Sequence, residues 1–212
     1  VVIVGLVATF AFWLARNIAN PIARLTSLAQ SIAKGDLSQK VDVEQGDEVG
    51  QLAGAFREMG TALNGKADAA TRIAQGDLSV EVEVASQEDT LGNAMVGMTG
   101  SLKSLNVEIG TLVDAAVAGN LDTRGDISKF EGDYAKLIGG VNETLDAVIS
   151  PINEASGVLD KMAVRDLTAR VLGEYQGDHA RIKQALNTAA QNLDEGMGQV
   201  GVSSDQVSSA AS

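Results

Sequence analysis

The chain has no cysteine, a single histidine, two prolines and one tryptophan in 212 residues. Without cysteine there can be no disulfide, thiolate metal site or cysteine nucleophile. His179 alone cannot assemble a histidine metal site or a Ser-His-Asp triad. No Gly-rich phosphate loop of the Walker kind is present. Clustered Lys and Arg are missing too, and with a net charge of −12 no nucleic-acid partner is expected. These absences point away from an enzyme, so no catalytic, cofactor-binding or metal-binding residue is assigned. Aromatics are only 3 % while Gly reaches 23, with Ala and Val supplying most of the apolar content. Small side chains fill thin seams between helices better than a globular core. Stripes this narrow bury little alone, so self-association is expected.

Val1 to Ala15, VVIVGLVATFAFWLA, carries no charge. A membrane span needs about 20 apolar residues, so the run reads as the C-terminal part of a transmembrane helix. The chain opens without an initiator Met and its pattern looks unfinished at Ser212, which reads as a piece of a longer protein. A signal peptide would put a basic stretch before the run and a small-residue cleavage site after it. Trp13 and then Arg16 follow the pattern of a cytoplasmic membrane boundary instead. Residues 1–15 are therefore expected in the bilayer, with everything after Arg16 on the cytoplasmic side.

A repeat occupies the rest. IAKGDLSQKV at Ile32–Val41 and IAQGDLSVEV at Ile73–Val82 agree at seven of ten positions, 41 residues apart. Weaker copies are Ala118-Gly119-Asn120-Leu121 and Val164-Arg165-Asp166-Leu167, where Arg165 replaces the glycine. The last two copies share a second block at an offset of 45, Phe130–Tyr134 with Tyr175–His179, and Asn142 matches Asn187 at that same offset. Each copy reads as a first helix, a Gly-centred turn with an extended connector, and a second helix. Gly35 stands where a helix end calls for a left-handed residue. Val41-Asp42-Val43-Glu44 alternates with period two. Val49, Leu52, Phe56, Met59 and Leu63 keep a heptad.

A period near forty also fits a helical solenoid. Solenoid helices need broad apolar faces, whereas these seams are narrow and run on between copies, as at Met95, Met98, Leu102, Leu105, Ile109, Leu112 and Ala116. The spacing slips to 4, 4 at Leu137, Val141, Leu145 and at Ala189, Leu193, Met197, and such insertions locally unwind a supercoil.

A membrane helix, then Asn20-Pro21-Ile22, Gly35-Asp36-Leu37 and Asp47-Glu48-Val49-Gly50, resembles the HAMP domain of bacterial receptors. The second copy keeps Gly76-Asp77-Leu78 but offers Asp89-Thr90-Leu91-Gly92. The third and fourth look like divergent members, the fourth restoring Pro151-Ile152 as a start. The resemblance implies an all-α fold: tandem HAMP modules, each a parallel four-helix bundle in a homodimer, stacked coaxially after a transmembrane helix and leading into a coiled coil. The expected division is 1–16 membrane helix, 17–65 first HAMP unit, 66–106 second, 107–150 and 151–196 divergent third and fourth, and 197–212 the start of a signalling coiled coil.

The implied task is to turn membrane-helix motion into helix-packing changes that control a chemotaxis signalling domain. A sensor histidine kinase or a passive spacer are the alternatives. The implied partners are a second copy, the bilayer of the bacterial inner membrane and, through a domain beyond Ser212, a chemotaxis histidine kinase and adaptor. Relay residues are expected at Pro21, Gly35, Leu37, Val41, Val43, Asp47, Glu48, Gly50, Gly76, Leu78, Asp89, Gly92 and Pro151. Pro21 suits a first helical turn, where its missing N–H is no loss. Asp47 and Glu48 suit a helix N-terminus. Leu25, Ile32, Leu52 and Leu63 are expected to meet their own copies across the seam, with Gln51 and Lys66 exposed.

Overall fold

The computed structural model describes residues 2–210. Helix α1, Val2–Leu14, is apolar on every side, and all its residues are exposed. A helix of that kind belongs in a membrane or a core. Val2–Ala33 forms one helical stretch of 32 residues whose most apolar window has a mean hydropathy of 1.8 and no buried residue. It fits a transmembrane segment.

The stretch is not uniformly α. Ala15–Ala19 makes a π-turn, closed by the Asn20 N–H donating to the Ala15 carbonyl. Helix α2, Asn20–Ala33, continues from it, so Pro21 follows a helical Ala19 (φ −65°) rather than beginning a free helix.

The chain divides into two compact halves, one reaching Ser104 and one beginning at Leu105. The N-terminal half holds α2, α3 (Glu48–Ala74) and the first part of α4 (Thr90–Val117). Residues 36–45 and 80–85 run between the helices without strand pairing. Leu25, Val43 and Ala53 form one small core, edged by Val41, Val49 and Phe56. Ala69, Ile73, Val80 and Met95 form a second, edged by Leu78, Val82 and Leu102. Each core is two helices closed by connector valines, which is why period-two alternation persists without a sheet.

The C-terminal half holds the rest of α4, a short 3-10 turn at Ile127–Lys129, α5 (Gly132–Ala163) and α6 (Gly177–Ala210). Its buried side chains include Leu112, Phe130, Ile138, Ile149, Val158, Val171 and Ala190. Gly125 lies where the other connectors carry Val41, Val82 or Val171. A Cβ there would come within 2.7 Å of Ile138 Cγ2, so the fully buried isoleucine fills the volume that the valine vacates. The described chain is all-α, as expected. The expected boundaries at 65/66, 106/107 and 150/151 each fall inside a continuous helix. Pro151 is correspondingly an interior residue of α5, and it is buried; it starts no helix.

Candidate functional site

The four turns share one backbone. Gly35 has φ +85°, Gly76 +89°, Gly119 +80° and Arg165 +71°. In each, two successive N–H groups fold back onto the last helical carbonyls, as Gly35 N to Ile32 O (2.9 Å) and Asp36 N to Ser31 O (2.9 Å). This is the left-handed helix ending that glycine accepts without strain. Arg165 repeats the geometry with a side chain attached, its N–H on Met162 O at 2.9 Å and that of Asp166 on Lys161 O at 3.0 Å.

The aspartate after the turn then sets the connector's direction. Asp36 Oδ1 accepts from Ser38 N and Oγ, Asp77 Oδ1 from Ser79 N and Oγ, and Asp166 Oδ1 from Thr168 N and Oγ1. These bonds hold all three carboxyls below the ordinary aspartate value. Asp77 reaches about 2, through Ser79 first and Arg72 next. Leu37 and Leu78 follow, both half-buried.

The connectors end on capping aspartates. Asp47 Oδ1 accepts from Val49 N and Gly50 N, both at 3.1 Å. Asp89 accepts from Gly92 N at 2.9 Å and from Ala85 N at 2.9 Å. Each satisfies an N–H that a helix start leaves unpaired, and Asp89 also holds the connector amide of Ala85. Glu48 is exposed in the first turn of α3. Gly50 and Gly92 are buried and have no room for a side chain: a Cβ on Gly50 would overlap the Gln45 carbonyl, and one on Gly92 the Asp89 carboxylate.

Gln45 makes a link that sequence reasoning missed. In an α-helix the Asn17 carbonyl would accept from residue 21, but Pro21 has no N–H. Gln45 Nε2 donates to that carbonyl instead, at 2.9 Å. Pro21, the π-turn and the connector end thus meet at one peptide group, beside the helix start closed by Gly50. Nothing local in the sequence announces a contact 28 residues apart.

Lys66 corrects an expectation. It is 9 % exposed, not a surface residue, and pairs with Asp89 at 3.0 Å. The amides of Ala85 and Gly92, then Lys66, hold Asp89 down to about 2. Lys66 stands where the first copy has the buried Leu25, and only an aspartate cap within reach makes a charge tolerable there. Leu25 itself is 3 % exposed, covered by Val43 and Ala53 of its own chain. It does not present itself for a partner as expected. His179 packs edge-on against Tyr175, ring centroids 6.5 Å apart.

Residues 13–65 match the profile of the HAMP domain family, and residues 129–195 match a second profile described as HAMP domain. The methyl-accepting chemotaxis protein McpB of Pseudomonas aeruginosa is 32 % identical over 103 residues, 49 % of this chain and 15 % of that protein. The sensor protein SrrB of Staphylococcus aureus is 31 % identical over 123 residues, 58 % of this chain and 19 % of that protein. The chain therefore spans less than a fifth of the length of either relative.

Proposed function

Because this chain is a tandem HAMP region, we propose that it relays displacement of its N-terminal apolar helix, as a change of helix packing phase, to a chemotaxis signalling domain beyond Ser212. Signal transduction is common to a chemotaxis protein and a sensor protein, and choosing the chemotaxis output is the finer step. The observation that carries the relay is continuity: α3, α4 and α5 each end one copy of the repeat and begin the next without a break. A rotation imposed on the first part of such a helix is delivered to its last part.

The relay works as a parallel homodimer. Leu52 (46 % exposed), Met59 (39 %), Met98 (42 %) and Leu159 (53 %) are apolar side chains that their own chain leaves uncovered. Cysteine at Leu52 or Met59 should cross-link to its own copy in membranes, and cysteine at exposed Gln51 should not. α1 lies in the bacterial inner membrane, with residues after Arg16 cytoplasmic. The end of α6, exposed from Gln191 to Ala210 and serine-rich over Val202–Ser209, favours a chemoreceptor helix downstream. The chain serves as a relay and performs no catalysis of its own.

A spacer is the competing reading, and α4 separates the two. Deleting four residues between Leu102 and Leu112 turns the seam by about 40°, whereas deleting seven turns it by about 20°. A relay predicts that the four-residue deletion locks or biases output while the seven-residue deletion keeps partial stimulus control. Near-normal responses from both would refute it.

A further inference from the structure

The third and fourth copies hold their connectors by a device absent from the first two, and it uses residues outside the recurring turn. In the fourth copy Glu154, on α5, accepts from Leu172 N at 2.6 Å, Gly173 N at 3.1 Å and the Tyr175 hydroxyl at 2.5 Å. Asn187, on α6, takes the neighbouring residue from the other side: its Oδ1 accepts from Val171 N at 2.8 Å and its Nδ2 donates to Val171 O at 3.0 Å. The third copy repeats this. Glu108 accepts from Asp126 N at 2.7 Å and from Lys129 Nζ at 2.9 Å. Asn142 accepts from Gly125 N at 2.8 Å and donates to Gly125 O at 2.9 Å. An amide bonded to both the N–H and the C=O of one residue reproduces a sheet neighbour, which the connector otherwise lacks.

The equivalent positions in the first two copies cannot do this. Arg24, Gly65, Glu108 and Glu154 all stand eleven residues before the turn residue. Arg24 makes an exposed 3.4 Å pair with Asp42, and Gly65 has no side chain to offer. Connector one rests on valines with single bonds from Arg57 to Val43 O, Asn64 to Leu37 O and its own Gln45 to Asn17 O. Connector two rests on valines and the bond from Ala85 N to Asp89. Among the described residues, in neither does one side chain bond both the N–H and the C=O of a connector residue. Apolar contacts permit sliding, whereas a doubly bonded peptide sets position and orientation together.

We propose that Glu108 with Asn142, and Glu154 with Asn187, are positioning residues that grip adjacent connector residues from both helices, so that each of these copies transmits as one body while the first two deform. This rests on the relay reading. The clamp itself can be tested without any output, by amide exchange of the full chain in lipid nanodiscs. The amides of Gly125, Asp126, Val171, Leu172 and Gly173 should exchange at least tenfold more slowly than those of residues 39–44. Asn187→Ala and Glu154→Ala should each remove at least tenfold of the protection in residues 170–174, with helix content unchanged. Glu154→Gln keeps an acceptor oxygen and should retain the protection.

In the intact receptor, Asn187→Ala should weaken transfer of the stimulus at least threefold, and Glu154→Gln should restore what Glu154→Ala loses. Unprotected amides in the unsubstituted chain would overturn the clamp and leave the relay to its own deletion test. A loosened connector with full response, or a lost response with unchanged exchange, would overturn the coupling role while leaving the relay reading intact.

Discussion

Arg165 occupies a backbone position that three sister turns give to glycine, and replacing it tests the repeat's geometry directly. At φ +71° an L-residue stands about 1–2 kcal/mol above its right-handed alternative. Arg165→Gly removes that strain but gives the unfolded chain extra freedom worth about 0.5–1 kcal/mol. The turn bonds from Arg165 N and Asp166 N are backbone bonds and survive the change. The side chain is exposed, and its loss falls within about ±0.5 kcal/mol. The net expectation is stabilisation by about 0.5–1 kcal/mol. In a half of roughly 100 residues that raises Tm by about 2–8 °C, and amide exchange over residues 161–168 should slow in parallel. Gly35→Val is the converse. No atom lies within 4 Å of a Cβ built there, so its cost is conformational alone and should exceed that of Gly35→Ala by about 1 kcal/mol. It should also lock or abolish signalling with membrane insertion intact. A lower Tm for Arg165→Gly, or a normal stimulus response from Gly35→Val, would refute the argument.

The Lys66–Asp89 pair should be asymmetric. Asp89→Ala strands a buried ammonium and removes the α4 cap, costing about 3–5 kcal/mol, whereas Lys66→Leu restores the residue type of the first copy and should cost far less; equal losses in denaturant titrations would contradict this. Asp77 and Asp89 both titrate near 2, below the ordinary 3.8. Their stabilisation is therefore complete above about pH 4 and lost as pH falls toward 2. Acid titration by circular dichroism should show a loss in that window, reduced in Asp77→Asn, and a flat profile would exclude the role. Gly50→Ala should cost more than Gly60→Ala, because only Gly50 has a carbonyl where its Cβ would go; comparable melting temperatures would remove the close approach from the account.

The parts legible in the sequence were mostly those that repeat: the turn glycines and the alternating valines, with the aspartate at the start of α3, Asp47, beside them. Each is local chemistry, readable within a few residues. Burial of Lys66 was illegible because a lone charge on a helix reads as surface until its partner, 23 residues on, is placed beside it. Pro151 read as a helix start because proline suits that position, yet α5 runs through it. The shared offset of Asn142 and Asn187 was visible, but their task was not, since the groups they bind are backbone and carry no sequence signature. Gln45 was missed for the same reason, its acceptor being the Asn17 carbonyl.

The π-turn at Ala15–Ala19 holds one residue more than an α-turn would over the same arc. A residue removed there can be absorbed by reverting to α geometry, leaving the azimuth of α2 unaltered. A residue removed within α1 has no such outlet and swings the membrane face by about 100°. The chain thus carries a vernier between its apolar N-terminal helix and α2. Apolar segments differing by one residue in length can therefore be joined above it without turning α2, provided the Asn17 carbonyl that Gln45 holds is kept.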